Sequence, residues 1–285
     1  MKIILMRHGR TKGNTEKRYV GTTEESLLPE EISSAEQLWM YPICEEAHIS
    51  ENAGSENVGS ENTGSENVGS ENTGSVNVES ENTEREKKCG VNEYNGHAMN
   101  VNGACGNRVF RAWALYREMM KSTRKKVYVS PMLRCVETAK MIFPGIPYTT
   151  VEQMRECDFG DFEYKNYLEL SEDPRYQAWI DSNGTLPFPN GESVPEFKKR
   201  CQKAFEKCMN QAFTQRADMV TFVVHGGTIM SVMEKYAIPK KEYYQWQVGN
   251  LEGFAGEIEQ TTSGIYQIQG IQKIVKSKEE LSEQA

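Results

Sequence analysis

The sequence predicts an α/β fold in which helices pack against a mostly parallel sheet. Three short apolar runs, at residues 2–6, 126–130 and 219–227, have the length and β-branched content of buried strands. Each run is followed by a segment with helical character. Strands that alternate with helices are typical of layered α/β domains.

The helices are predicted from the segments that follow these strands. A helix is expected from about Thr11, and a second over "PMLRCVETAKMIF", where Pro131 would occupy the first turn. The segment "TIMSVMEKYA" follows the third strand and is predicted to be helical. Two weaker strands near 254–259 and 264–269 are expected to complete the sheet.

Two further segments show helical spacing of apolar residues. "ESVPEFKKRCQKAFEKCMNQAF" begins with a capping box, Ser193 to Glu196. Its predicted core positions are Phe197, Cys201, Ala204, Phe205, Cys208 and Ala212. "RVFRAWALYREMM" is predicted to form a helix with one apolar face, marked by Val109, Phe110, Trp113, Tyr116 and Met120.

A low-complexity insertion interrupts this pattern. Residues 50–83 repeat the five-residue unit SEN[AVT]G almost without error. Such a polar tract buries too little apolar surface to offset chain entropy, which favours disorder over 31–107, while a β-solenoid is the competing interpretation. The prediction is one domain from residues 1–30 and 108–275, with a charged tail at 276–285.

The charge of the chain is unevenly distributed. The net charge is −8, but residues 45–86 hold eleven acidic residues against one arginine, so the remainder is close to neutral. This argues against nucleic acid as a partner and allows a locally positive site for an anion. No apolar run is long enough to span a membrane, and "MKIILMRHG" is too short for a signal peptide, so no membrane partner and a cytoplasmic location are expected. The seven cysteines lack CxxC spacing, which favours reduced thiols.

The three strands end in residues suited to anion binding. Arg7 and His8 follow the first strand, Arg134 follows the second, and His225 and Gly226 follow the third. Ligands of parallel sheets bind beyond the carboxyl ends of the strands, so these side chains are expected to share one crevice. Two guanidinium forks and two imidazoles would attract a tetrahedral dianion.

The motifs at these positions resemble those of a known family. "LMRHGRTKGN", "SPMLRCVETA", "RECDFGDFE" and "VVHGGT" are similar to the successive signatures of the histidine phosphatase superfamily, in the branch with phosphoglycerate mutases. The resemblance covers residues 1–29 and about 108–255. It implies the three-layer α/β/α sandwich of phosphoglycerate mutase-like proteins and an enzyme that hydrolyses phosphomonoesters.

The resemblance also implies roles for individual residues. His8 would be the nucleophile, Glu156 the general acid, and His225 a further catalytic donor to the phosphoryl oxygens. The expected phosphate-binding residues are Arg7, Asn14, Arg134, Thr11, Gly21 and Gly226. A competing interpretation is that Glu156 pairs with Arg155 or caps a helix.

Neither a metal nor an organic cofactor is predicted. Asp158 and Asp161 lack a third carboxylate at a suitable spacing, and arginine and histidine already supply positive charge. The expected ligand is a small phosphorylated metabolite, and the sequence does not determine the oligomeric state.

The pattern RExDFGxxE resembles alpha-ribazole phosphatases and the fructose-2,6-bisphosphatase group. Tyr164 stands where these usually have glycine, so it would alter the turn or narrow the mouth of the pocket. Alpha-ribazole 5′-phosphate is the leading substrate candidate, beside a broad phosphomonoesterase. Transfer of a phosphoryl group of the phosphoglycerate mutase type, and a catalytically weak phospho-ligand-binding module, are the alternatives.

Overall fold

A six-stranded sheet organises the part of the chain that the computed structural model describes, residues 1–32 and 119–274. Its strands are β1 (Lys2–Arg7), β2 (Lys125–Val129), β3 (Thr149–Thr150), β4 (Met219–Val224), β5 (Gly253–Gln260) and β6 (Tyr266–Ile274). The spatial order is β3-β2-β4-β1-β5-β6. The first four strands are parallel, and β5 and β6 join the edge in antiparallel orientation.

The central strands have mostly apolar, buried interiors because helices cover both faces of the sheet. In β1, Ile3 and Leu5 belong to one core cluster, and Ile4 and Met6 belong to the other. Helix α2 (Leu133–Ile142) packs on the second cluster, whereas α4 (Val194–Thr214) and α5 (Gly226–Tyr236) pack on the first. This arrangement confirms the predicted three-layer α/β/α sandwich with a mostly parallel sheet.

The long helix was predicted closely. The Ser193 hydroxyl accepts from the Glu196 amide, and the Glu196 carboxylate accepts from the Ser193 amide, which is the expected capping box. All six predicted core positions of α4 are buried, together with Met209.

The predicted helix from about Thr11 is present as α1, a single turn over Lys12–Thr15 with Thr11 as its N-cap, and Lys17 beyond it adopts a left-handed backbone with φ of 55°. Two other expectations about helices require correction. Pro131 precedes α2 rather than occupying its first turn, since Met132 is the extended N-cap. On the turn at 119–121, Met119 is buried and Met120 is 52% exposed, so Met120 does not belong to the apolar face.

Several short elements were not predicted from the sequence. These are β3, helix α3 (Pro174–Asp181) and the 3₁₀ helices Glu152–Met154, Gly160–Phe162 and Tyr243–Trp246. Most of them lie between α2 and α4. The side chains of Phe162, Tyr176 and Phe188 pack in one buried aromatic cluster in this segment.

Other expectations fall outside the described residues. The insertion at 31–107, its choice between disorder and a solenoid, the helical face from Val109 to Tyr116 and the tail at 276–285 lie there almost entirely. Among the described residues, no helix combines the length and the apolarity that crossing a membrane requires.

Candidate active site

The carboxyl ends of β2, β4 and β1, which are neighbours in the sheet, bring the two histidines together. The backbone amide of His8 donates to the carbonyl of Val224, the last residue of β4, over 3.0 Å. His225 follows at once, and its ring lies edge-on to that of His8 with 5.2 Å between the centroids. Both side chains are almost fully buried. Residues 217 positions apart in the sequence are thus in contact because β1 and β4 are parallel and in register.

The His8 ring is held in one tautomer. Its Nδ1 lies 2.7 Å from the Gly9 carbonyl oxygen, which can only accept, so Nδ1 carries the proton. In the neutral ring this leaves Nε2 with a free lone pair. Burial, assisted by Arg134 and Arg7, lowers the pKa of His8 well below its ordinary value of 6.5, which keeps the ring neutral.

His225 is fixed by residues of the neighbouring strand end. Its Nε2 lies 2.7 Å from the hydroxyl of Ser130, and the Cys135 sulfur is 3.6 Å from the same nitrogen. Burial lowers the pKa of His225 well below 6.5, and the Arg134 charge adds to this effect. His225 is also the N-cap residue of α5, which begins at Gly226.

Two guanidinium groups, those of Arg7 and Arg134, are close enough for their charges to lower the pKa of both imidazoles. Arg134 is fully buried and donates to the carbonyls of Val20, Gly21 and Thr23. Arg7 donates to the Val248 carbonyl over 2.9 Å. In both side chains Nε is buried and makes no hydrogen bond with the described protein atoms. Burial of a donor without a partner is costly, and an anionic oxygen would satisfy it.

Gly21 lies where two loops touch. A Cβ on Gly21 would lie 2.1 Å from the Cys157 carbonyl oxygen, so only glycine permits this contact. The Gly21 amide donates to Glu163, whose carboxylate also accepts from the amide and the hydroxyl of Thr23. Glu163 therefore fixes the loop whose carbonyls orient Arg134.

Gly226 is the first residue of α5 and lies beside Arg7. A Cβ there would be 3.7 Å from Arg7 Nε, an ordinary contact distance. Other residues could therefore occupy position 226, and any contribution of Gly226 to the site would come from its backbone.

The Glu156 carboxylate lies at the start of α5. It accepts from the Cys157 amide over 3.0 Å, and a Cβ on Gly227 would lie 2.8 Å from it. Burial raises the pKa of Glu156 above its ordinary 4.5, and the Cys157 amide opposes that shift. Arg155 pairs with Glu152 instead of Glu156. The environment of Glu156 therefore favours a protonated carboxyl more than water does.

Asn14 and Thr11 form a reciprocal capping pair at α1. The Asn14 side-chain oxygen accepts from the Thr11 amide and from Asn250 Nδ2, which leaves the Asn14 amide group as the donor available to a ligand. The Thr11 hydroxyl donates to Glu25 over 2.7 Å, so its proton is already engaged.

Three residues of the site escaped the sequence analysis. Asn250 donates to the carbonyls of His8 and Gly9 as well as to Asn14, and so orients the loop that carries the nucleophile candidate. Glu163 and Glu25 anchor neighbouring loops. Glu163 stood within the quoted motif "RECDFGDFE", whereas no local pattern marked Asn250 or Glu25.

The carboxylates considered as metal ligands are engaged elsewhere. Asp158 accepts from the Gly160 amide, and Asp161 accepts from Arg175 and Asn190. Within residues 1–32 and 119–274, no group of three or more histidine, cysteine, aspartate or glutamate side chains has the geometry of a metal site.

Comparison with known families decides the classification. Residues 110–262, more than half of the chain, match the profile of the histidine phosphatase superfamily, branch 1. The chain belongs to the histidine phosphatase superfamily. The segment with His8 precedes the matched range, but β1 pairs with β4 inside it and completes the same sheet.

Solved structures support the fold. An Escherichia coli K-12 protein provisionally described as an alpha-ribazole-5'-P phosphatase is similar at 14% identity, with a TM-score of 0.58 and coverage of 98% of this chain and 97% of that one. The alpha-ribazole phosphatase of Shigella flexneri is similar at 15% identity, with a TM-score of 0.57 and coverage of 97% of this chain and 96% of that one. The phosphoserine phosphatase of Entamoeba histolytica, in complex with 3-phosphoglyceric acid, is similar at 16% identity. Its TM-score is 0.54, and the match covers 95% of this chain and 95% of that one. At these identities the likeness concerns the fold alone.

Two further findings complete the comparison. No curated protein sequence matches this chain significantly. Residues 50–83 match a profile of pentapeptide repeats in eight copies, which agrees with the period read from the sequence. Membership of the superfamily makes this histidine phosphatase an enzyme of phosphoester chemistry, a phosphatase.

Proposed function

We propose that this histidine phosphatase is a metal-independent phosphomonoester hydrolase that works through a phosphohistidine on His8. The observation that carries the proposal is the His8 ring, neutral and held with Nε2 unprotonated, beside two arginines whose buried Nε atoms make no hydrogen bond with the described protein atoms. An imidazole nitrogen with a free lone pair is a nucleophile, and buried cationic donors stabilise a phosphoryl group.

The first step transfers the phosphoryl group to the enzyme. His8 Nε2 attacks phosphorus, and the bond between phosphorus and the ester oxygen breaks. The protonated Glu156 carboxyl gives its proton to the departing oxygen, so an alcohol is released. The raised pKa of Glu156 supports this role.

The second step restores the enzyme. The Glu156 carboxylate now takes a proton from water, whose oxygen attacks the phosphohistidine. The bond between Nε2 and phosphorus breaks, inorganic phosphate is released and Glu156 is protonated again. Arg7, Arg134, His225 and the Asn14 amide would hold the phosphoryl oxygens through both steps.

The proposed substrate is a small phosphorylated metabolite, with alpha-ribazole 5′-phosphate as the leading candidate. The similar folds of the two alpha-ribazole phosphatases support this choice. Half-buried aromatic side chains near the site, Phe159 and Tyr19, offer faces on which a ring of the leaving group could stack. Phe159 lies 2.9 Å from the position of a Cβ on Gly21, which places it beside the phosphate-binding loop.

Rapid quenching in an alkaline denaturant, in which phosphohistidine is stable, tests the nucleophile. We expect wild-type protein mixed with a ³²P-labelled phosphomonoester to form an acid-labile phosphoenzyme at His8, with turnover unaffected by EDTA. The His8→Ala variant should form none and lose turnover by several orders of magnitude, since no other group replaces the nucleophile.

The matched control is Glu172→Ala, an exposed residue that is not part of the proposed site, which should label like wild type. A wild-type enzyme that hydrolyses its substrate without the labelled species would refute the phosphohistidine route. Transfer of label between positions of one substrate, without release of phosphate, would instead identify a mutase.

A further inference from the structure

Glu25 is an acidic residue in contact with the loop after His8. Its half-buried carboxylate accepts three hydrogen bonds: from the Thr11 hydroxyl over 2.7 Å, from the Gly13 amide over 3.0 Å and from the Tyr164 hydroxyl over 2.8 Å. A carboxylate in an anion-binding enzyme would weaken phosphate binding by repulsion unless its contacts compensate. Its use as a triple acceptor therefore points to a structural contribution to the site.

The loop is shaped to receive this carboxylate. A Cβ on Gly13 would lie 2.8 Å from one Glu25 oxygen and 3.2 Å from the other. It would also lie 2.5 Å from a methyl group of Val20. Glycine at position 13 is thus what allows Glu25 to reach the backbone.

Hydrogen bonds continue from Glu25 toward the nucleophile. Because the Thr11 hydroxyl gives its proton to Glu25, its oxygen is oriented to accept from the backbone amide of Asn14. The Asn14 side chain accepts from Asn250, which in turn donates to the carbonyl of His8. Glu25 therefore lies at the outer end of a chain of hydrogen bonds that sets the direction of the side-chain amide of Asn14.

Tyr164 connects Glu25 to the segment between Glu156 and α4. Tyr164 has a left-handed backbone with φ of 58°, an unusual conformation for a tyrosine. The Arg18 guanidinium lies 5.1 Å from its ring centroid and donates to its carbonyl over 2.6 Å. The hydrogen bond to Glu25 raises the pKa of Tyr164, as expected for a phenol that donates to a carboxylate.

We infer that Glu25 and Tyr164 are positioning residues, which fix the Thr11–Asn14 turn and through it the Asn14 donor to the phosphoryl group. The inference rests on the proposed phosphatase function and deepens it. It also changes the interpretation of Thr11, which serves as the link between Glu25 and Asn14 rather than as a direct ligand. The tyrosine hydroxyl does what glycine at position 164 could not, because only a side chain reaches Glu25.

Phosphate affinity, measured by calorimetry with inorganic phosphate, tests the inference without requiring turnover. We expect Glu25→Ala to weaken phosphate binding by about 5- to 30-fold, since a misdirected amide loses a hydrogen bond to a charged ligand. Tyr164→Phe should weaken it by about 2- to 5-fold. The matched control Tyr167→Phe, on an exposed tyrosine three residues further on, should leave it unchanged.

A double-mutant comparison separates positioning from general damage. In the Asn14→Ala background the added Glu25→Ala change should weaken phosphate binding by less than twofold, because the two residues act on one donor. KM should rise in Glu25→Ala more than kcat falls. Thermal melts establish that each variant is folded, and hydrogen exchange should show faster exchange of the Gly13 amide.

Several outcomes would overturn the inference. Unchanged or tighter phosphate binding in folded Glu25→Ala would do so, as would fully multiplicative losses for Glu25→Ala and Asn14→Ala. If wild type binds phosphate but forms no phosphohistidine, the proposed function fails while the binding comparison still decides the role of Glu25. A wild-type protein that binds no phosphate overturns both.

Discussion

The buried imidazoles of His8 and His225 interact with the charges of Arg7 and Arg134, so proton binding to either ring is disfavoured twice, by lost hydration and by like charge. Glu156 responds to burial in the opposite way, because its charged form is the anion. The same dry environment therefore keeps the nucleophile candidate unprotonated and shifts the acid candidate toward its protonated form. A pocket with this polarity suits phosphate, whose oxygens need donors.

These shifts predict the pH dependence of kcat/KM. The reaction needs neutral His8, which is lost as pH falls through its lowered pKa, so the acid limb should lie below 6.5. It also needs protonated Glu156, which is lost as pH rises through its raised pKa, so the alkaline limb should lie above 4.5. The measurement is steady-state kcat/KM as a function of pH, with a substrate that has a poor leaving group.

The Glu156→Gln variant tests whether the alkaline limb of kcat/KM reports the titration of Glu156. This variant should lose that limb and lower kcat by about 10²- to 10⁴-fold for an alkyl phosphate, and by less for p-nitrophenyl phosphate, whose leaving group needs no proton. Phosphate affinity should change little. An equal loss for both substrates would show that Glu156 is not the proton donor.

At the scale of elements, the site depends on close contact between loops. The loop at 20–23 is held between the Glu163 carboxylate and the Cys157 carbonyl, and its own carbonyls accept from Arg134. The strand ends supply the charged side chains, but such loops determine where the guanidinium groups point. An element that carries no catalytic residue can therefore control the site.

Gly21→Ala tests this dependence. Its Cβ would lie 2.1 Å from a backbone oxygen that cannot rotate away, so the loop must move. We expect a loss of about 1–3 kcal/mol in the free energy of unfolding and weaker phosphate binding. Chemical denaturation and calorimetry measure the two effects.

Gly226→Ala is the comparison, because its Cβ would meet nothing closer than 3.7 Å. It should change the free energy of unfolding by less than about 1 kcal/mol. Equal destabilisation by the two substitutions would contradict the close contact inferred at Gly21.

For the whole molecule, the candidate site is built from residues that precede and residues that follow positions 33–118. Arg7, His8 and Asn14 precede residues 33–118, and Arg134, Glu156 and His225 follow them. Long insertions between elements cost little free energy, since closure entropy grows only with the logarithm of loop length. The repeats add seven glutamates and no basic residue between positions 50 and 83.

Deletion of residues 50–83 should therefore leave kcat/KM within about twofold of wild type at physiological salt, where exposed charges are screened beyond ~8 Å. The comparison should be repeated at low salt with a dianionic substrate. A much larger kcat/KM for the deletion variant at low salt would show that the acidic repeats repel the substrate.

The central elements could be predicted from sequence because their signals are local. Apolar runs marked β1, β2 and β4, and helical spacing with a capping box marked α4. The charged side chains at the strand ends were found for the same reason, since a parallel sheet places such ends together. Short elements such as β3 and the 3₁₀ helices were not predicted, because a few residues carry no period that could define them.

What the sequence by itself determined is the layered fold and the superfamily signatures, and it supplied the set of groups that we propose contact phosphate. Only the tertiary structure decided how those groups are held: that Thr11 donates to Glu25, that Asn250 orients Asn14 and His8, and that Gly21 must be glycine. The physical reason is that these contacts join residues distant in sequence, and a hydrogen bond between distant residues leaves no periodic pattern in either segment.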